Sequence, residues 1–443
     1  MADCVKKIKV LLVVLIVSSL LGLTGCELLP ETWELPWNQA ATISPEQTDV
    51  PEPTGVTEEA TEVVDAQTPT PAPPPEKLIL WLPPDLDPNA ETAAAAILRD
   101  RLDEFAYLNT IEIDVRIKAV SGGGGLLDAL RTTHAAAPTS SPDVVALSRD
   151  HLLQASQSDV VFWNEGLKTV IGDLDWYNFG RDAATVQGEV LAVPFKGVPM
   201  GLVYQSLNQL IPSNEWTETR LNYGYFGFAA DDPRGTFLLL LYLSLGGQVQ
   251  NEQGLTILQE APLNAALQTL KDGLNTRHFS DLVTTMQHSE QVWIEFSSRR
   301  IDTAFLPVDV VLKGRETTPD APDPAFTSPS MTLTDAWVWA LGSQEPQRQE
   351  LAVALIAHLS ETQFLAKWSE ALKEIPARPS ALGSWEETSL KPALEKMASG
   401  AVLYPPDAVM NNIGPILRNA TLLILRDNAD VGETTKQALE SVK

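Results

Sequence analysis

Residues able to bind a small polar molecule stand at the ends of two short apolar runs. Trp81 lies near the end of the first run, residues 78–82, and Asp85 follows it. Arg149, Asp150 and His151 follow the later run, residues 143–147. A carboxylate can accept hydrogen bonds from hydroxyls, and an indole can stack on the apolar face of a sugar. Two alternatives stay open, since Trp81 also suits a core and Asp150 could simply cap the next helix.

The acidic, histidine and glycine residues match no catalytic or metal-binding motif. The sequence has no His-Glu-x-x-His, Gly-x-Ser-x-Gly or Walker pattern. Residues 85–91 mimic the start of a calcium loop, but Ala90 and Ala96 stand where its Gly and its closing Glu belong. The glycine run at 122–125 lacks the spacing of a phosphate cradle, so we interpret it as a loop. We predict no catalytic residues, no metal and no cofactor.

Cys26 has the surroundings that a lipid attachment needs. It closes a segment with three early lysines and an apolar stretch at residues 10–22, which is too short to span a bilayer comfortably. The small residues Thr24 and Gly25 precede it, as in the bacterial lipobox, in which the cysteine thiol receives a diacylglycerol. We predict a lipoprotein signal peptide at residues 1–26 and lipidation at Cys26. A plain signal peptide with a chance cysteine is the alternative.

Alternating apolar patterns place the first candidate residues on a sheet. Period-2 or continuous apolar runs predict strands, and a 3.6-residue period predicts helices. The pattern predicts strands at 78–82, 111–117 and 143–147 and helices at 93–107 and 126–136. This order predicts a mostly parallel α/β sheet, in which ligands bind beyond the carboxyl ends of the strands.

The composition divides the rest of the chain. Residues 27–76 are rich in Pro, Thr and Glu and contain no Lys or Arg, so we predict a disordered tether. Residues 77–443 exceed what one core usually holds, so two lobes are expected. The net charge of −27 argues against a nucleic-acid partner. Cys4 lies in the signal segment, so the mature domain has no disulfide.

Six short motifs follow one another in a fixed order along residues 77–443. They are Asp143-Val144-Val145, residues 188–195 with 202–204, Pro212 with Trp216 and Glu218, Gly246-Gly247, the helix-like segment 352–368, and Ile375-Pro376-Ala377-Arg378. In this order they resemble the extracellular solute-binding proteins of ABC importers, family 1, the branch that includes the maltose-binding and other sugar-binding proteins. Gln205 stands where that family usually has Asn, and Val198 where the maltose binders carry a carboxylate.

The resemblance implies a two-lobed, type II periplasmic-binding-protein-like fold with a ligand cleft between the lobes. Residues 77–193 and about 333–383 would form the first α/β lobe, and 194–332 and about 384–443 the second. Hinge motion would close the cleft on a small solute, with a carbohydrate as the favoured ligand. The membrane subunits of the importer would recognise the closed form. We expect a monomer, held on the outer face of the membrane by its lipid.

The resemblance also implies binding residues in the second lobe. Arg234, Thr236 and Phe237 precede the helix that ends at Gly246-Gly247, where free N–H groups would suit anionic or hydroxyl ligands. An ordinary helix start is the alternative. Further candidates follow a strand end or lie near a late helix start, where the family often offers an aromatic residue: Asp309, Asn411 and Asn412.

Two hypotheses about function therefore stand. The first is a solute receptor for an ABC importer, and the second is a surface enzyme or adhesion module built on the same scaffold. A receptor needs polar and aromatic groups from both lobes in one cleft, whereas an enzyme needs two titrating groups within reach of each other.

The lipid anchor can be tested at the residue that would carry it. Because the lipidation reaction requires a thiol, Cys26→Ser is expected to leave the chain unacylated and to release it from washed membranes. Cys4→Ser, in the segment to be removed, is the matched control and should stay bound. Equal retention of both variants, measured by immunoblotting of membrane fractions, would contradict the prediction.

Overall fold

The computed structural model describes residues 77–205, 225–327, 329–386 and 388–442. The predicted signal peptide and tether lie outside this part of the chain, as do Pro212, Trp216 and Glu218 of the sequence motifs. Among the described residues, no helix combines the length and the apolar character needed to cross a bilayer.

The described residues form an α/β structure. The strands are β1 (Lys77–Leu82), β2 (Glu112–Ile117), β3 (Val144–Ser148), β4 (Thr185–Val186), β5 (Glu189–Val190), β6 (Ala192–Gln205), β7 (Phe226–Gly227), β8 (Thr303–Pro307), β9 (Pro324–Thr327), β10 (Thr332–Leu341), β11 (Ile375–Pro376) and β12 (Ala401–Leu403). The helices are α1 (Ala93–Asn109), α2 (Leu126–Ala136), α3 (Arg149–Ser156), α4 (Glu165–Val170), α5 (Asn178–Ala184), α6 (Thr236–Ser244), α7 (Glu260–Asn275), α8 (Ser289–Ser297), α9 (Val308–Thr317), α10 (Pro346–His358), α11 (Thr362–Leu372), α12 (Pro379–Gly383), α13 (Lys391–Ser399), α14 (Asp407–Leu425) and α15 (Val431–Ser441).

The N-terminal βαβαβ unit forms as its sequence pattern predicts. β1 pairs in parallel with both β2 and β3, so the carboxyl ends of the three strands share one edge. Helix α1 starts because the hydroxyl of Thr92 accepts the N–H of Ala95 at 3.1 Å. It buries Leu98, Leu102 and Phe105, whose spacing places them on one face.

Two long antiparallel strands, β6 and β10, run through both halves of the fold. The sheet order is β2-β1-β3-β10-β6-β8-β7, so β10 and β6 lie between the parallel unit and the second group of strands. The first part of β6 pairs with β10 and β11, and its last residues pair with β8 and β9. Each long strand therefore contributes to two separate packing environments.

The described residues form two hydrophobic clusters, each with its own group of aromatic side chains. In one, the ring of Phe195 stacks on Trp339 at 4.4 Å, and Trp339 on Trp368 at 6.1 Å. In the other, Phe237 packs against Phe228 at 4.3 Å and against Phe305 at 5.3 Å. Dispersion and burial in these clusters must hold the described domain together, since it contains no cysteine.

The segment 352–368, compared above with one helix, forms two. Helix α10 ends at His358 and α11 begins at Thr362. The guanidinium of Arg101, from α1, donates to the carbonyl oxygen of His358 from Nε at 3.2 Å and from Nη2 at 2.7 Å. This long-range bond satisfies a carbonyl at the end of α10, where the intrahelical ladder stops.

A buried ion pair ties the parallel unit to α10. Asp143 is fully buried and accepts the backbone N–H of Ile79 at 2.7 Å. Arg348 donates to both carboxylate oxygens, from Nε at 2.7 Å and from Nη2 at 2.5 Å. Because the carboxylate has lost its water, its charge depends on these donors.

The Asp143 ion pair predicts a large loss of stability when its cation is removed. Arg348→Met would leave a buried carboxylate unpaired, so we expect the free energy of unfolding in urea to fall by about 3–5 kcal/mol. Lys168→Met is the control, because Lys168 meets Glu165 at 3.8 Å on the surface and such pairs contribute at most about 1 kcal/mol. Similar losses in the two variants would show that Arg348 is not needed to compensate Asp143.

Candidate functional site

Strand ends from both halves of the fold meet beside the crossing strands. β3 ends at Ser148, which pairs with Trp337 of β10. β8 ends at Pro307, which pairs with Met200 of β6. The antiparallel pairing brings these two ends to the segments where β6 and β10 pass from one half to the other.

Two neighbouring cavities open at this place. The larger has a volume of about 410 Å³ and is lined by residues of β6, α6, α8, β8 and α9 and the loops before these helices. The smaller, of about 210 Å³, is lined by the end of β3, the start of α3, β10 and the residues that lead into α14. Arg234, Asp335 and Tyr404 line both cavities and form the boundary between them.

A tight turn fixes the position of Arg234. The next residue, Gly235, has φ +60°, and a Cβ there would stand 2.7 Å from the Cβ of Leu417 in α14. Gly414 of the same helix allows an equally close approach, since its own Cβ would lie 3.0 Å from the carbonyl oxygen of Pro233. Glycine is required at Gly235, and a side chain at Gly414 would push the turn outward, so the two glycines let the turn that carries Arg234 lie closely against α14.

Arg234 lies between an aromatic ring and a carboxylate. Its Cζ is 4.2 Å from the centre of the Tyr404 ring, and its Nη1 is 3.7 Å from Oδ1 of Asp335. Burial alone would lower the pKa of Arg234, but the charge of Asp335 raises it. Loss of bulk solvent raises the pKa of Asp335. The side chain is 54% exposed, but this exposed surface faces the two cavities and not the outer surface of the protein.

Asp150 connects α3 with the start of α14. The residue before α14 is Pro406, whose side chain cannot cap a helix, and a carboxylate oxygen of Asp150 accepts the N–H of Asp407 at 2.9 Å instead. Burial, and next the charge of Asp407, raise the pKa of Asp150 to about 6. Asp150 thus carries an incompletely compensated charge beside the smaller cavity.

The loop before α8 is held against the same region. The side-chain oxygen of Gln291 accepts the backbone N–H groups of Gln287 at 2.7 Å and of His288 at 3.1 Å. Gln287 in turn donates to Asp231 at 2.8 Å, and Asp231 also accepts from Arg418 of α14 at 2.7 Å. These bonds place Gln287, His288 and Glu290 along the larger cavity.

Six of the residues predicted from the sequence line a cavity. These are Arg149, Asp150, Arg234, Thr236, Phe237 and Asp309. Their role as ligand contacts stays a prediction. Phe237 is 5% exposed and mainly part of the aromatic cluster, so it offers a cavity only the edge of its side chain.

The other five predicted residues line neither cavity. Trp81 is a core residue, 1% exposed, with Nζ of Lys118 4.9 Å above its ring, so it provides no stacking surface. Asp85 is exposed in the 3-10 turn Pro84–Leu86. His151 lies further along α3, and burial lowers its pKa. Asn411 and Asn412 fall in the second turn of α14, past its start.

The starts of α6 and α3 are capped by other residues than the sequence suggested. The carboxylate of Asp232 accepts the N–H groups of Arg234 and Thr236, both at 3.0 Å, so the start of α6 does not offer Thr236 as a free donor. Helix α3 is capped by Ser148, whose hydroxyl accepts the N–H of His151 at 3.2 Å. Asp150 is therefore not the cap of its own helix.

Sequence reasoning missed Asp335, Tyr404 and Asp407. Asp335 is the one exposed residue of β10. The sequence contained a signal for it, because it is the one charged residue within the strand at 332–341. Tyr404 follows β12 and precedes two prolines, at the start of the segment where an aromatic residue was expected but assigned to no position. Among the described residues, no group of three or more His, Cys, Asp or Glu side chains could hold a metal ion.

Comparison with solved structures identifies the fold. The chain is similar to a cyclo/maltodextrin-binding protein complexed with maltotetraose, at 16% identity, a TM-score of 0.65 and coverage of 84% of this chain and 97% of that one. It is also similar to the sugar-binding protein MalE of Xanthomonas citri, at 15% identity, a TM-score of 0.67 and coverage of 83% and 96%. This chain has their two-lobed α/β fold. Maltose-bound MalE3 of T. maritima agrees, at 17% identity, a TM-score of 0.59 and coverage of 82% and 98%.

These likenesses confirm the predicted fold class, an α/β structure of two lobes of the periplasmic-binding-protein type. No family model matches the sequence, and no curated protein matches it. The boundaries predicted for the two lobes stay predictions.

The raised pKa of Asp150 predicts a specific pH dependence of stability. The folded form binds the proton at about pH 6, whereas an unfolded Asp binds it at about pH 4, so the ionised form destabilises the fold and acidification relieves this. Asp150→Asn should be more stable than the wild type at pH 7, by about 1 kcal/mol once solvent screening is allowed for. The difference should shrink as the pH falls from about 6 to about 4.

Thermal unfolding at a series of pH values measures this difference. Asp85→Asn is the control, because that carboxylate is exposed and lines no cavity. Its profile should run parallel to the wild type. A constant offset between the wild type and Asp150→Asn across this range would contradict the assigned origin of the shift.

Proposed function

We propose that this chain is a lipid-anchored, extracytoplasmic receptor that captures a small solute, with a carbohydrate as the favoured class, and delivers it to an ABC importer. The observation that carries the proposal is the pair of cavities beside the crossing strands, into which both halves of the fold project polar side chains. Cysteine 26 would supply the anchor, and the predicted tether would separate the lobes from the membrane.

The polar groups of the larger cavity suit a ligand that donates many hydrogen bonds. Among the described residues, Asp232, Glu290, Asp309 and Asp335 line it together with one arginine, Arg234. Carboxylates accept hydrogen bonds from hydroxyls, and the excess of negative charge disfavours an anionic solute. Two of the structures with the same fold hold maltotetraose or maltose, which supports a neutral sugar as the first ligand to try.

The cavities also suit capture by movement of the lobes. The β6 and β10 strands are the covalent connections that pass through the site, and short shifts in their dihedral angles would change the width of the cleft. A ligand held by groups from both sides would favour the closed arrangement by its differential affinity. The importer would then bind the closed form of a monomeric receptor.

One observation favours the second candidate, a surface enzyme. Asp150 has its pKa raised to about 6 and shares the smaller cavity with Asp335 and Asp407, and paired carboxyl groups in different protonation states can act as acid and base. Against this, a carboxylate oxygen of Asp150 is already used by the N–H of Asp407. Turnover of a bound sugar by the wild-type protein would favour the enzyme.

The receptor function can be tested with sugars and one arginine variant. We expect maltose or maltotetraose at a hundredfold excess over Kd to stabilise the folded protein by about 2.7 kcal/mol, seen as a raised melting temperature. Arg234→Ala should weaken that binding by roughly 5- to 150-fold in calorimetric titration, since a buried polar partner is lost. Arg315→Ala is the control, because Arg315 pairs with Asp323 outside both cavities.

If no sugar of a panel that includes neutral, amino and acidic sugars raises the melting temperature, the carbohydrate assignment is wrong. Equal affinities of wild type and Arg234→Ala for a sugar that does bind would remove the assignment of the pocket instead.

A further inference from the structure

Two ion pairs join α9 to the residues that follow α11. In one pair the lysine belongs to α9, and in the other the glutamate does. Nζ of Lys313 lies 3.2 Å from Oε1 of Glu374, and Oε1 of Glu316 lies 2.9 Å from Nζ of Lys373. Lys313 and Glu316 are three residues apart, so they stand on neighbouring positions of one helix face. We call these four residues the clamp.

The clamp connects two helices that pack against different neighbouring elements. Helix α9 packs against α8, β8 and the crossing strand β6, whereas α11 packs against α1, α12 and β11, and buried residues of both helices belong to the same hydrophobic cluster. Lys313 and Glu316 fall in the segment 194–332, predicted for the second lobe. Lys373 and Glu374 fall in the segment 333–383, predicted for the first lobe. A change in the angle between these segments would therefore alter the length of both ion pairs.

Glu374 is the buried centre of the clamp. It is 9% exposed, and it also forms an ion pair with Lys196 of β6, which is 5% exposed. Burial alone would raise the pKa of Glu374, but the charges of Lys196 and Lys313 lower it below its usual value. The carboxylate therefore stays ionised at neutral pH and requires its cations, because an uncompensated buried charge is strongly unfavourable.

Lys313 joins the clamp to the larger cavity. Its Nζ is also 3.0 Å from Oδ2 of Asp309, one turn earlier in α9, and Asp309 lines the cavity. One ammonium group is thus shared between a carboxylate at the cavity and a carboxylate of the other segment. A hydrogen-bond donor bound to Asp309 would compete with Lys313 for that carboxylate and would leave more of the lysine charge to Glu374.

We propose that the clamp holds the described arrangement of the lobes and that Lys313 transmits the occupancy of Asp309 to it. Filling the cavity would strengthen the Lys313–Glu374 pair and so favour this arrangement. The part of this inference that concerns a bound solute rests on the receptor function proposed above, whereas the clamp itself does not.

The experiment measures the distance between the lobes without any ligand. Spin labels at Asp100→Cys in α1 and Lys436→Cys in α15, both at exposed positions, report that distance by pulsed electron resonance. The full-length chain in detergent carries Cys4→Ser and Cys26→Ser, which leaves the introduced thiols as its only ones. Lys313→Met is expected to reduce the population with the wild-type distance about fivefold relative to other arrangements.

Two further variants test the two ion pairs and the transmission separately. Lys373→Glu should act like Lys313→Met, and adding Glu316→Lys to it should restore the wild-type distances by reversing the pair. Asp309→Asn removes the competing charge, so it should narrow the distribution around the wild-type distance. That effect should vanish when Lys313→Met is present, because the two changes act through one ammonium group.

Arg315→Met is the matched control, since Arg315 lies in the same helix and its pair with Asp323 stays within one segment. Unchanged distances in Lys313→Met, or equal changes in Arg315→Met, would overturn the clamp. An effect of Lys313→Met together with none of Asp309→Asn would overturn the transmission. Failure of every sugar to bind would leave all these outcomes readable, because none of them needs a ligand.

Discussion

The antiparallel pairing of β6 with β10 is the interaction on which both lobes depend. Its register places Trp337 opposite Lys196 and Thr334 opposite Pro199, with an irregularity between Trp337 and Val338. A shift of one residue would turn every side chain of these strands to the opposite face. It would expose Trp339, move Asp335 away from Arg234 and separate the strand ends that surround the cavities. Core and site are therefore fixed by one set of backbone hydrogen bonds.

The charges of the cleft are held in place by packing more than by one another. Arg234 and Asp335 are 3.7 Å apart, beyond a hydrogen bond, and the position of Arg234 comes from two glycines that let its turn lie against α14. Asp150 is kept near Asp407 although that neighbour raises its pKa. Such an arrangement is unfavourable by itself, and the surrounding fold must stabilise it. The unsatisfied acceptor capacity that results is what a polar ligand could fill.

The sequence was informative wherever a local pattern determines the outcome. The strand at residues 78–82 and the helix at 93–107 follow from the period of their apolar residues, and both formed. Outcomes decided by distant partners could not be predicted in that way. Helix α10 ends where Arg101, 257 positions earlier, reaches His358, and no pattern within residues 352–368 contains that information. Trp81 suited a core or a binding surface equally well until its neighbours were known.

The residues of the candidate site also fall into those that a local pattern predicts and those that depend on distant partners. Residues that directly follow a strand, such as Asp150 and Asp309, were found because strand ends are the usual place for ligands in α/β sheets, and Arg234 was found through the resemblance to the solute-binding family. Asp335 lies in the crossing strand β10, and Tyr404 follows β12, which pairs with β10, so neither position carries a site until distant parts of the chain meet there. The same geometry places Glu374 in contact with both Lys196 and Lys313, residues 178 and 61 positions away. The candidate site is thus built from contacts of long sequence separation, and those contacts would also change if the lobes moved. In the proposed receptor, binding and lobe movement would for this reason depend on the same few side chains.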